Sequence, residues 1–146
     1  MHPTIHVNWI AVLTAVVASF AFGWLWHGPL FGRKWAALMK FPPDMKPDPK
    51  VMRRGMVLTL AGIFLTAYTI VFIGDVWRPS VWGGTGDAPG YVYGFLTGLW
   101  VWIGFYIPQA LGGVAWEGKS WPLFGLTAAH SFLSLQIIAM IIAYVR

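Results

Sequence analysis

The stretch Trp24-Leu25-Trp26-His27-Gly28-Pro29-Leu30-Phe31-Gly32-Arg33-Lys34-Trp35 decides how this chain is read. An unbroken apolar run ends in it, passes through an aromatic-lined Gly-Pro turn, and gives way at once to basic residues. A helix leaving a bilayer has this form, with aromatic side chains at headgroup level and cations just beyond. Trp24, Trp26, Phe31 and Trp35 are therefore expected to be interfacial anchors.

The composition supports a lipid solvent. Hydrophobic residues make up 58% of the 146 residues and charged residues only 10%, whereas soluble domains carry roughly a quarter charged residues. That is too little charge to coat a water-facing surface. By length the chain is one domain, so residues 1–146 are read as a single transmembrane unit. There is no cysteine, which excludes disulfides, thiolate metal sites and cysteine nucleophiles. The start, Met1-His2-Pro3-Thr4-Ile5-His6, lacks the basic segment of a signal peptide, and the first apolar run is expected to stay as a structural helix.

Four apolar segments stand out, at about 7–27, 55–76, 91–113 and 121–144. Each has about 20 residues or more, enough at about 1.5 Å per residue to cross a ~30 Å hydrocarbon core. They show neither the polar face of a soluble helix nor the alternation of a barrel strand. The fold expected is all-α, a bundle of four transmembrane helices. A short interfacial helix is expected near 33–39, and the proline-rich segment around Pro42-Pro43-Asp44 should be extended or turned. Pro108 should kink the third helix.

Seven of the ten basic residues lie from Arg33 to Arg54, between the first two spans. Lys119, between the last two, makes eight on that side, against Arg78 and Arg146 on the other. The net charge of +5 therefore reads as the positive-inside signature and not as a nucleic-acid footprint. Both basic loops are expected in the cytoplasm and both termini on the outer, periplasmic side of a bacterial inner membrane. Pro29-Leu30-Phe31-Gly32 recurs as Pro122-Leu123-Phe124-Gly125 where the last helix begins, so the two copies should lie near each other at one end of the bundle.

Two small-residue ridges are candidates for close helix packing. One is Gly90, Gly94 and Gly98; the other is Ala11, Ala15, Ser19 and Gly23. In lipid, small residues that let backbones touch carry helix association. Either ridge can serve packing within the chain or an interface in a homo-oligomer or larger membrane complex.

Polar groups inside the spans are few. Thr127, His130, Ser131 and Ser134 are spaced to share one helical face. His130 lies roughly 13 Å along the helix from Trp121 by helical rise, and an ionisable group at such depth faces a bundle interior or a wet cavity. It is open to three roles: an interhelix polar contact, a proton relay or solute contact on a permeation path, or ligation of a haem or chlorophyll-type ring. Gln109 is a further polar candidate, able to bond a carbonyl freed by Pro108. His27, Asn8 and Glu117 are secondary candidates. His27 is a possible partner of His130, but the two are expected to be offset in depth unless helix tilt closes the gap, so His27 is read as a hinge or interface residue, and Glu117 is expected to pair with Lys119. No metal site is expected, because no carboxylate or thiolate accompanies His130 at its depth. No Gly-x-Ser-x-Gly elbow, His-Glu-x-x-His pair or phosphate loop is present, so the expectation is a non-enzymatic membrane protein, a self-associating bundle or an accessory subunit.

Val7-Asn8-Trp9 at the start of the first helix, the exit Trp24 to Trp35, and Trp116-Glu117-Gly118-Lys119 before the last helix together resemble one family. It is the small bacterial four-helix membrane family known as domain of unknown function seventeen-sixty-one. The resemblance runs from Asn8 to about Ala143. It implies four helices in the cytoplasmic membrane and brings no catalytic residues.

The charge count makes a direct prediction. Impermeant reagents added to intact cells should reach tags at both termini. Tags protected on the cytoplasmic side would overturn the orientation.

Overall fold

The structure, a computed structural model, describes residues 2–145. Met1 and Arg146 lie outside the described residues, and Arg146 is one of the two basic residues counted for the outer side. The described chain is helical, with α1 (Trp9–Leu25), α2 (Gly32–Leu38), α3 (Pro49–Asp75), α4 (Gly90–Val101), α5 (Ile107–Trp116) and α6 (Trp121–Tyr144). A π-helical turn, Trp26–Leu30, continues α1, and another, Trp102–Tyr106, joins α4 to α5. Four spans result, Trp9–Leu30, Pro49–Asp75, Gly90–Trp116 and Trp121–Tyr144, each long and apolar enough to cross a membrane.

The helix starts are set by caps. Asn8 Oδ1 accepts from the Ile10 and Ala11 amides at 2.9 and 3.3 Å. Asp48 Oδ1 accepts from Lys50 N at 2.8 Å with Pro49 in the first turn. That cap starts α3 at Pro49, ahead of the apolar run from Gly55. Hydropathy does not register these turns because they carry Lys50, Arg53 and Arg54. Ser120 caps α6 in the same way.

α6 is the central helix, packed against α1, α3 and α4. Gly90, Gly94 and Gly98 are spent on it. A Cβ on Gly94 would lie 2.8 Å from Met140 Sδ and 3.2 Å from the Ala139 carbonyl, and one on Gly90 3.0 Å from the Ala143 carbonyl. Gln136 occupies the matching place over Gly98, 2.7 Å from where its Cβ would be. Ala11, Ala15 and Ser19 are likewise buried inside the bundle. The core joins Val12, Ala15, Ala67, Ile70, Leu135 and Ile138, each at most 3% exposed. Both ridges therefore pack within one chain, which takes from them the support they lent to self-association.

At the end where α1 starts and α6 finishes, the chain buries an ion pair. Arg78 Nε lies 3.0 Å from Asp75 Oδ1, its Nη2 donates to the Ala143 carbonyl at 3.3 Å, and its guanidinium lies 4.2 Å above the Tyr93 ring. Arg78, counted above as a loop charge, is only 4% exposed. Desolvating such a pair costs about as much as the attraction returns. Its structural effect is to tie the end of α3 to α4 and α6. Thr4 N donates to the Val81 carbonyl at 3.0 Å and draws the segment before α1 over the same end.

The other end is less closed. Residues 49–62 of α3 are exposed throughout, and the helix packs on the core only from Ile63 onward. α3 thus stands away from α1 and α6 over half its length, and the space it leaves holds the site.

Candidate functional site

Two prolines shape this space. Proline has no N–H, so Pro29 leaves the Leu25 carbonyl without its α-helical donor, and Pro108 does the same to Gly104. Within a bilayer, backbone groups must be satisfied inside the chain. At both places the chain steps to π-type pairing. Phe31 N donates to the Trp26 carbonyl at 2.9 Å, and Ile107 N donates to the Trp102 carbonyl. The disturbance expected at Pro108 is therefore taken up in the π turn just before it. Gly32 is required by the first π turn, because a Cβ there would lie 2.5 Å from the His27 carbonyl oxygen.

The first π turn carries His27, whose Nδ1 lies 3.0 Å from the Gly23 carbonyl. His27 meets His130 edge-on, with ring centroids 4.6 Å apart and planes at 66°. The depth offset expected between them is absent, for a simple reason. Helical side chains lean toward their own N-terminus, and α1 and α6 run antiparallel. His27 leans inward and His130 leans toward the end of the bundle, so the two rings converge. His130 also stacks on Phe22 at 5.5 Å and 4°, and its Nε2 lies 3.5 Å from Ser134 Oγ. Gly23, from the α1 ridge, lies against the same ring, and a Cβ on it would be 3.6 Å from Nε2. Trp35, from α2, packs on the other side of His27 at 5.3 Å.

Both rings line a cavity of about 680 Å3 between α1, α3 and α6, within the ~300–1,000 Å3 typical of small-molecule sites. α1 supplies Ser19 and Gly23; α6 supplies His130, Ser131 and Ser134; the second π turn supplies Tyr106. α3 supplies Met52, Gly55, Met56, Thr59, Gly62, Ile63 and Thr66, one helical face roughly 21 Å long. The core cluster around Leu135 and Ile138 closes the cavity on its inner side. Beyond that cluster lies a separate cavity of about 190 Å3, lined by His6, Asn8 and Asp75 among others.

The other sequence candidates fall elsewhere. Thr127 and Gln109 are exposed and do not line the cavity. Asn8 is the cap of α1 at the opposite end. Glu117 pairs with Lys119 at 2.7 Å in an exposed loop. Ser131 lines the cavity while accepting from Trp102 Nε1 at 3.1 Å and donating to the Ala128 carbonyl at 3.0 Å. The α3 face and Tyr106 escaped the sequence reading. A signal existed, since glycine, threonine and methionine recur on α3 at spacings of three and four, but no charged or aromatic side chain marks that face.

Among the described residues no three of His, Cys, Asp or Glu gather as metal ligands. His27 and His130 touch, so a macrocycle does not fit between their rings as they stand. What the arrangement offers is imidazole hydrogen bonding within a largely apolar, aromatic and methionine-lined space.

The strict need for glycine at one position tests this geometry. Gly32→Ala should destabilise the protein by about 1–3 kcal/mol by forcing the π turn apart. Gly28→Ala, which meets nothing within 4 Å, should stay within about 0.5 kcal/mol. Reversible unfolding in detergent measures both, and equal effects would contradict the tight turn.

No curated protein and no solved structure matches the chain. The family model described as protein of unknown function (DUF1761) matches residues 10–143, nearly the whole chain. A match of that extent, over all four spans and both π turns, makes this chain a member of the DUF1761 family.

Proposed function

We propose that this chain is a non-enzymatic, multi-pass protein of a bacterial inner membrane, with both termini outside and the basic Arg33–Arg54 segment in the cytoplasm. Its working part is the cleft where His27 and His130 meet. The cleft takes up a small lipid-soluble molecule from the cytoplasmic leaflet, as the binding step of transport or of an accessory role in a membrane complex. One observation carries this reading: two imidazoles from antiparallel helices converge on a cavity of about 680 Å3 beside an otherwise apolar core. Exposed Trp24, Met52 and Met56 flank the cavity and make a side entrance. The closed inner side supports one-sided access and speaks against an open pore for protons or solutes.

A second reading is favoured by a separate observation. Residues 49–62 of α3 are exposed, and an apolar helix face left uncovered offers itself to a partner helix or to a second copy of the chain. In this reading the protein is an accessory subunit and the cleft is filled by its partner.

An apolar diazirine probe in proteoliposomes separates the two. Cleft binding predicts labelling at Ser19, Thr59 and Ile63, lost on filling the space with Gly62→Trp. Labelling confined to outer positions such as Leu13 and Val17 would contradict it.

A further inference from the structure

Resting on that cleft, we infer the chemical class of its occupant: an amphiphile whose head group is a hydroxyl, donated to Nε2 of His27. The Gly23 carbonyl can only accept, so the contact at 3.0 Å puts a proton on Nδ1 of His27. In the neutral ring Nε2 then carries the lone pair and can only accept. Of the hydroxyls on the cavity lining, those of Thr66, Tyr106 and Ser131 are engaged by the chain itself, while Ser19, Thr59 and Ser134 line it as well. Thr66 Oγ1 donates to the Gly62 carbonyl at 3.0 Å and lies 3.4 Å from the Tyr106 hydroxyl. Ser131 is held between Trp102 and the Ala128 carbonyl.

A molecule entering beside His27 therefore meets an acceptor. An ether, ester or ketone would set lone pair against lone pair at this atom. A hydroxyl makes the bond. An ammonium also donates, but the adjoining Arg33–Arg54 segment, with seven basic residues, repels a cationic head. The body of the molecule is set by the remaining lining. Phe20, Trp24, Met52 and Met56 give an aromatic and methionine surface, which adapts to an apolar body of irregular shape.

The test uses the full chain in proteoliposomes and two probes, a fatty alcohol bearing a diazirine and an alkyne tag, and its methyl ether. Mass spectrometry reads labelling of the cleft lining. The alcohol should label it about fivefold more than the ether, the worth of one neutral hydrogen bond. His27→Phe, which keeps a ring against His130 and Trp35 but removes the acceptor, should bring the ratio to one, and His27→Gln should restore part of it. Equal labelling of the cleft by alcohol and ether overturns the hydroxyl assignment and leaves cleft binding standing. A preference that survives His27→Phe overturns His27 as the acceptor. Absence of either probe from the cleft overturns both this inference and the reading it rests on. The ratio in the unaltered protein decides the head group even where a variant fails to fold.

Discussion

Backbone hydrogen bonding without water is the constraint from which this structure follows. A proline inside a span removes a donor that lipid cannot replace. The chain answers at Pro29 and at Pro108 by stepping to π pairing. Each step widens the helix locally and turns the side chains around it. The first aims His27 back along α1 toward the interior, and the second brings Tyr106 to the cavity. π turns inside longer helices are frequent at functional sites, and here both flank the same space.

Packing sets the rest. Glycines on α4 and small residues on α1 bring these two helices close to α6, and the buried Asp75–Arg78 pair ties the far end of α3 to the same bundle. α3 is therefore anchored at one end and free at the other. A helix held in this way leaves a wedge, and the wedge is the cavity. The apolar core at its inner side separates it from the smaller polar cavity near Asp75.

Much of this was legible in the residues. Four spans follow from uninterrupted apolar runs, and the glycine spacing marks α4 as a packing helix. His130 and Ser134 show as polar neighbours on one face. The partnership with His27 was legible only as a possibility, because residue counting along two helices gives an offset that opposite side-chain lean removes. Arg78 was misplaced for a related reason. A lone arginine after a helix reads as a loop charge until the chain folds Tyr93 and the end of α6 over it. The early start of α3 was hidden because basic residues fill its first turns, where capping and not hydropathy decides.

The cleft depends on His27 and His130 meeting across α1 and α6. Solid-state NMR of the histidine-labelled full chain in lipid bilayers measures that contact directly. Ring centroids 4.6 Å apart predict a ring-to-ring correlation between two of the four histidines, lost in His27→Gln and in His130→Gln alike. Spectra in which no histidine rings correlate, although the four helices are intact, would contradict it.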